Sequence, residues 1–84
     1  MTERIVKTNE AEANEILHGY KTYFIRSDKE TYEKGYLIHF QLIKNMKPVY
    51  HQIERVRYVV TKVDTFQTAP VVRGYQLISV GVAK

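Results

Sequence analysis

The stretch from His18 to Asp28 constrains the fold most, because a helix ends and a strand begins within it. Gly19 can adopt the left-handed backbone conformation that commonly terminates a helix. The run that follows, Lys21 to Arg26, is rich in Thr and aromatic residues, which favour a strand. The pattern therefore predicts a helix from about Glu10 to His18 and a strand directly after it.

The predicted helix carries a start pattern and one apolar face. Asn9 can accept a hydrogen bond from a free backbone N–H group, and Glu12 can reach back in a capping box. Apolar residues then recur at helical spacing and predict a stripe facing the core: Ala13, Ile16, Leu17 and Tyr20. We therefore expect Tyr20 to be a core residue.

Besides the strand after Gly19, four more segments have β character: Arg4–Lys7, Tyr36–Ile43, Tyr50–Val63 and Tyr75–Val82. In the segment Tyr50–Val63, a β-bulge near Glu54 would bring Ile53 onto the same strand face as the other apolar residues. In the last, Ile78, Val80 and Val82 are expected to point inward, and Lys44 to Pro48 is expected to be a hairpin-like loop. Five strands and one helix predict a single α+β, mainly β domain over residues 1–84, a small and partly open five-stranded β-barrel with the N-terminal helix packed at its end.

Composition excludes several classes of protein. The 84 residues include no Cys, so neither disulfides nor thiolate metal sites are expected. The three His residues are scattered, and we predict no metal site and no cofactor. No apolar run approaches the ~20 residues of a membrane span, and none follows the start as a secretory signal would. A cytoplasmic protein without membrane contact is the expectation.

Gly19-x-Lys21-x-x-x-x-Arg26 after a short helix resembles the G-x-K-x-x-E-x-R motif of ASCH domains, which belong to the PUA-like barrel superfamily. The run Glu33-Lys34-Gly35-Tyr36-Leu37-Ile38 is similar to a second family segment, and Gly74 to Val80 resembles its closing strand. The resemblance implies a five-stranded PUA-like barrel, a small domain of bacterial type, and RNA binding.

Phe24 departs from this family pattern, since it stands where Glu is usual. The related acetylcytidine amidohydrolases show G-x-K-T-x-T-I-R, and their second Thr, the proposed nucleophile, also corresponds to Phe24. A Phe side chain cannot attack an amide. We therefore predict no catalytic residue, and a hydrolase acting on a modified nucleoside is kept as the alternative function.

Lys21 and Arg26 offer a point charge and a planar fork, both suited to a phosphate or a base edge. The resemblance implies that they lie at the mouth of a cleft between helix and barrel. Alternatively both are solvated cations at strand ends, or Arg26 pairs with Asp28. Thr22 can offer a hydroxyl to a ligand or simply lie exposed on the strand, and Gly19 caps the helix or permits close approach of a ligand.

Arg55 and Arg57 would share one strand face next to His51, and with Lys62 and Lys7 they could form a basic track for phosphates. The alternative is an ordinary solvated face. The net charge of +4, from 13 Lys and Arg against 9 Asp and Glu, favours a polyanion only if the cations cluster. Four aromatic residues could stack on bases or belong to the core: Tyr20, Tyr23, Tyr32 and Tyr75.

The sequence thus predicts an RNA-binding module that recognises a nucleotide or a single-stranded element. The predicted contact residues are Gly19, Lys21, Thr22, Arg26, Arg55 and Arg57. A third hypothesis is a protein-interaction domain, such as a homodimer joined through an exposed strand or the Tyr-rich loops.

Overall fold

A computed structural model describes residues 2–83. Among them the secondary-structure elements are β1 (Glu3–Thr8), α1 (Glu10–Leu17), β2 (Tyr23–Ser27), β3 (Leu37–Lys44), β4 (Lys47–Val49), a 3-10 helix (Gln52–Arg55), β5 (Tyr58–Asp64) and β6 (Tyr75–Val82). All six strands belong to one sheet, so the predicted α+β, mainly β class is confirmed. No helix within residues 2–83 is long and apolar enough to cross a membrane.

The sheet is open. Its strand order is β1–β3–β5–β6–β2, with β4 added beside β3, and among the pairs formed by residues 2–83 only β1–β3 is parallel. The edge strands β1 and β2 are not joined by a backbone ladder in the described chain, so the predicted barrel is not confirmed. The carbonyl of Lys7, at the end of β1, instead accepts a hydrogen bond from the guanidinium of Arg26.

The core lies between the inner face of the sheet and α1, which buries Ala13 and Ile16. Its largest fully buried side chains are Phe24, Phe40, Ile38, Ile53, Ile78 and Val60. The Phe24 ring meets Tyr32 and Phe40 edge to face, with centroid distances of 5.5 and 5.4 Å. Such pairs add to the stabilisation from burial alone, so Phe24 is a central packing residue.

The predicted start and end signals of the helix are confirmed, but the predicted burial of Tyr20 is wrong. Helix α1 begins at Glu10, and Asn9 accepts the Glu12 backbone N–H as its N-cap. Gly19 has a φ of 79° and terminates the helix. Because the helix already ends at Leu17, Tyr20 leaves the helical stripe and is 86% exposed instead of buried.

The segment from Tyr50 to Val63 is not one bent strand. His51 Nδ1 accepts the Ile53 N–H, and the Glu54 carboxylate accepts the His51 N–H, which caps the 3-10 helix reciprocally. Such local side-chain bonds compete with strand formation. The turn they hold buries Ile53, so the bulge expected near Glu54 is not needed and the register shift lies farther along, between Val60 and Lys62 in β5.

A sixth strand replaces part of a predicted loop. Asn45 and Met46 have φ values of 52° and 64°, and this two-residue turn returns the chain so that β4 pairs with β3. Pro48 suggested a chain break, but an edge strand tolerates Pro. Val82, expected to point inward, is 63% exposed at the end of β6.

We predict that Phe24→Ala lowers the free energy of unfolding by about 3–5 kcal/mol, because it leaves a cavity against Tyr32 and Phe40. Phe66→Ala is the matched control, since Phe66 is 42% exposed, and should cost less than about 1 kcal/mol. Urea titration followed by circular dichroism measures both. Equal losses would contradict the central role of Phe24.

Candidate functional site

Glu12, in the first turn of α1, draws both cations of the G-x-K…R motif to one place. Its Oε2 atom lies 3.1 Å from Lys21 Nζ and its Oε1 atom 3.2 Å from Arg26 Nη2. The hydroxyl of Thr8 donates a further hydrogen bond of 2.6 Å to Oε1. We call Thr8, Glu12, Lys21 and Arg26 the Glu12 cluster. The charged side chains in it are only 15–23% exposed, so this is a partly desolvated site.

Arg26 also bridges the two edges of the sheet. Its Nη1 donates to the carbonyl of Ile25 at 2.7 Å, and its Nη2 donates to the carbonyl of Lys7 at 2.8 Å. The guanidinium lies 5.2 Å from the centroid of the Phe24 ring. Among residues 2–83 its acidic partner is Glu12 and not Asp28, the partner considered from the sequence. Arg26 is thereby fixed in orientation by three oxygen atoms.

The environment of Glu12 favours its charged form. Burial by itself raises the pKa of this carboxyl, but the hydrogen bonds from Thr8, Lys21 and Arg26 outweigh burial. The positive charge of Arg26 acts in the same direction, and the pKa of Glu12 is held below its ordinary value. The cluster therefore carries one negative and two positive charges at neutral pH.

An open cleft of about 430 Å³ lies beside the cluster. Its lining residues come from β1, α1, β2 and β3: Lys7, Thr8, Asn9, Glu12, Arg26 and Ile43. Ligand pockets commonly begin at about 300 Å³, so the cleft can accept a group of nucleoside size. Its wall presents guanidinium donors next to a carboxylate acceptor.

The predicted residues near the helix end are only partly brought together. Arg26 lines the cleft, but Lys21 does not. Lys21 instead pairs with Glu12, and its Nζ atom lies 5.2 Å from the centroid of the Tyr23 ring. Thr22 is exposed, and its carbonyl accepts the Val80 N–H. Gly19 has the helix-ending role described above.

The predicted basic track is not assembled on one strand face. Arg55 lies in the 3-10 helix with its guanidinium 5.9 Å from the Tyr50 ring centroid, and Arg57 pairs with Glu3 at 3.2 Å. The strand that would have aligned them does not form there, because the chain turns into the 3-10 helix. Of the cations considered for the track, Lys7 is the one that lines the cleft.

Glu12 is the residue of the cleft whose contacts the sequence pattern predicted wrongly. The capping box predicted that its carboxylate would reach back to Asn9, but the carboxylate contacts Thr8, Lys21 and Arg26 instead. The signal that the sequence offered was an acidic residue three positions after the N-cap residue of the helix. Its two cationic partners lie 9 and 14 residues away in sequence, which the local pattern could not reveal.

The position of Phe24 bears on the hydrolase alternative. Its side chain is fully buried in the aromatic core and does not line the cleft. The chain matches no protein-family model and no curated protein. The adjacent donors and acceptors of the cleft suit a polar ligand that carries both.

We predict that Glu12→Gln destabilises the protein at pH 7 by about 1–3 kcal/mol, because two half-buried cations lose their counter-charge. Since the pKa of Glu12 is lowered in the folded state, its contribution is complete above the ordinary glutamate pKa of about 4.3 and is lost as pH falls through the folded value.

The measurement is urea unfolding at pH 7, 5, 4 and 3. Between pH 5 and pH 3 the wild type should lose more stability than Glu12→Gln. Glu15→Gln changes an exposed Glu of the same helix and should follow the wild-type curve. Parallel curves for wild type and Glu12→Gln would contradict the role assigned to Glu12.

Proposed function

We propose that this chain is an RNA-binding domain of the ASCH type, related to PUA-like barrels, that holds one nucleotide of a single strand in the cleft. The observation that carries the proposal is the position of Arg26 at the wall of a cleft of nucleoside size, where it pairs with Glu12. Lys21 pairs with the same carboxylate but does not line the cleft. The resemblance implies a cleft beside these two cations, and the contact of Arg26 with the cleft supports the proposal.

The charge balance of the cluster favours a base over a phosphate inside the cleft. A phosphate placed against Arg26 would also meet the carboxylate of Glu12, and like charges repel. A base edge alternates donors and acceptors, and proteins read such edges in unstacked RNA by hydrogen bonding. Glu12 can accept from a ring or amino N–H group while Arg26 donates to a ring nitrogen or carbonyl oxygen.

Arg26 retains hydrogen-bonding capacity for such a ligand. A guanidinium carries five N–H donors. The contacts with Ile25, Lys7 and Glu12 use three of them within the described chain, which leaves two for a ligand. The same contacts hold the group rigid, so little side-chain entropy is lost on binding.

The rim of the cleft supplies what the interior lacks. Lys7 is exposed and lines the cleft, so it can receive the phosphate of a nucleotide whose base is bound inside. Tyr23 is 39% exposed, with its ring centroid 5.2 Å from Lys21 Nζ, and Tyr20, which precedes Lys21 in the chain, is 86% exposed. Stacking on exposed aromatic rings is the common way to hold single-stranded RNA.

The relation to PUA-like barrels gives Arg26 a second role. In the proposed relation, its hydrogen bond to Lys7 takes the place of the β1–β2 ladder that would close a barrel.

A hydrolase is not proposed, because Phe24 is buried and offers no nucleophile to the cleft. The homodimer considered from the sequence stays a prediction.

We predict that Lys7→Ala weakens binding of a mixed-sequence eight-nucleotide RNA several-fold. It should also reduce the slope of log Kd against the logarithm of the salt concentration by about one. Fluorescence anisotropy from 50 to 300 mM KCl measures both. Lys34→Ala removes an exposed Lys outside the cleft and is the control. Equal effects of the two changes would indicate a diffuse charge effect and not the proposed site.

We expect Arg26→Lys to weaken the same RNA about tenfold or more, since Lys keeps the charge but not the planar fork. Arg57→Lys is the matched control, because Arg57 is 60% exposed and paired to Glu3 outside the cleft. Circular dichroism must show that both variants stay folded. Wild-type affinity in a folded Arg26→Lys variant would reject the proposed site.

A further inference from the structure

The two-residue turn between β3 and β4 holds a strained and exposed side chain. A hairpin turn in which both central residues have positive φ is usually formed by Asn followed by Gly. Here the two residues are Asn45 and Met46, with φ values of 52° and 64°. Asn tolerates this left-handed conformation, but a long side chain rarely adopts it. Met46 is 95% exposed, so packing in the core does not compensate the strain.

Two like charges face each other at the same turn. Lys44 of β3 lies directly opposite Lys47 of β4, and like charges at such positions repel. The Nζ atom of Lys44 lies 4.0 Å from Glu10 Oε2, but this ion pair is weak because the two side chains are 63% and 62% exposed. Among residues 2–83, Lys47 forms no ion pair. We call Lys44, Met46 and Lys47 the hairpin tip, and an anion between its two Lys side chains would relieve their repulsion.

The hairpin tip is a neighbour of the cleft. Ile43 lines the cleft and directly precedes Lys44. The ammonium group of Lys44 is directed to the start of α1, since it lies near Glu10, which follows the cleft residue Asn9. A flexible ligand that leaves the cleft over Asn9 and Ile43 therefore meets Lys44 next.

The surroundings of the hairpin tip suit an unpaired nucleic-acid strand. The sequence from Lys44 to Ile53 contains no Asp or Glu. Tyr50, which follows β4, is 63% exposed, and the guanidinium of Arg55 lies 5.9 Å from the centroid of its ring. Cations beside exposed aromatic rings are the features by which proteins hold single strands. The thioether of Met46 can pack against the face of a base, since sulfur contacts aromatic rings favourably.

We propose that the hairpin tip is a second RNA contact, at which Lys44 and Lys47 hold the phosphate of the nucleotide that follows the one in the cleft and Met46 contacts its base. This inference rests on the proposed function, because it assumes that the cleft holds one nucleotide. Locally unfavourable choices in a sequence are typical of functional sites, which accounts for the strain and the repulsion at the tip. The position of the tip beside the cleft favours RNA over an anionic membrane, the other partner that a basic tip with an apolar residue suits.

The test measures fluorescence anisotropy of a labelled, mixed-sequence eight-nucleotide RNA with the wild type, Lys47→Ala, Met46→Gly and Glu10→Gln. Two matched controls change exposed residues away from the cleft and the tip, Lys34→Ala in a turn and Glu15→Gln near the other end of α1. Thermal unfolding of each variant is followed by circular dichroism. Amide chemical shifts with the four 5′-ribonucleoside monophosphates report on the cleft by itself.

We expect Lys47→Ala to weaken RNA binding about threefold or more and to leave monophosphate binding within about twofold. Met46→Gly should weaken RNA binding and yet raise the midpoint of thermal unfolding, because Gly adopts positive φ without strain. Glu10→Gln should strengthen RNA binding more than Glu15→Gln does, because Glu10 competes with a phosphate for Lys44.

Equal RNA binding by Lys47→Ala and Lys34→Ala, with monophosphate shifts intact at the cleft, would overturn this inference and leave the proposed function standing. The inference is also overturned if Met46→Gly binds RNA as the wild type does but no longer sediments with vesicles of phosphatidylcholine and phosphatidylserine, because the tip would then be a membrane contact. If neither RNA nor any monophosphate shifts the amide signals of the cleft residues, both the inference and the proposed function are overturned.

Discussion

The interaction between Glu12 and Arg26 is the constraint on which the rest of the structure depends. A half-buried carboxylate is costly unless cations and hydrogen-bond donors compensate it. Glu12 receives both, from Thr8, Lys21 and Arg26, and its pKa is lowered as a result. Because Glu12 lies on α1 and Arg26 on β2, the same contact fixes the helix to the edge of the sheet and forms one wall of the cleft.

This arrangement also covers part of the two open edges of the sheet. Free edge strands tend to pair with other chains, and proteins usually cover or block them. Arg26 occupies the carbonyls of Ile25 and Lys7, one on each edge strand, with its own N–H groups. The helix that follows β1 brings Glu12 to the same place, so the Arg26 side chain links two edge strands that no backbone ladder joins in the described residues.

Local signals made much of the fold predictable, while the site depended on contacts between distant residues. Asn9 and Gly19 mark the ends of α1 as predicted, because a cap and a left-handed glycine act within one turn. His51 shows where prediction from composition fails, because it caps a 3-10 helix in a segment whose composition favours a strand. Arg26 lines the cleft, but its pairing with Glu12 spans 14 positions and has no local pattern in the sequence.

Pairing a cation with an acid at a binding cleft changes what the cleft can select. An unpaired Arg attracts any phosphate, and such contacts position a nucleic acid without reading its bases. Arg26 beside Glu12 offers a donor and an acceptor of fixed orientation, which rewards a base edge that matches both. In the proposed function, affinity then comes from groups outside the pair, such as Lys7, which lines the cleft. The proposal thus assigns discrimination to the Glu12–Arg26 pair and attraction to Lys7, so each can change without the other.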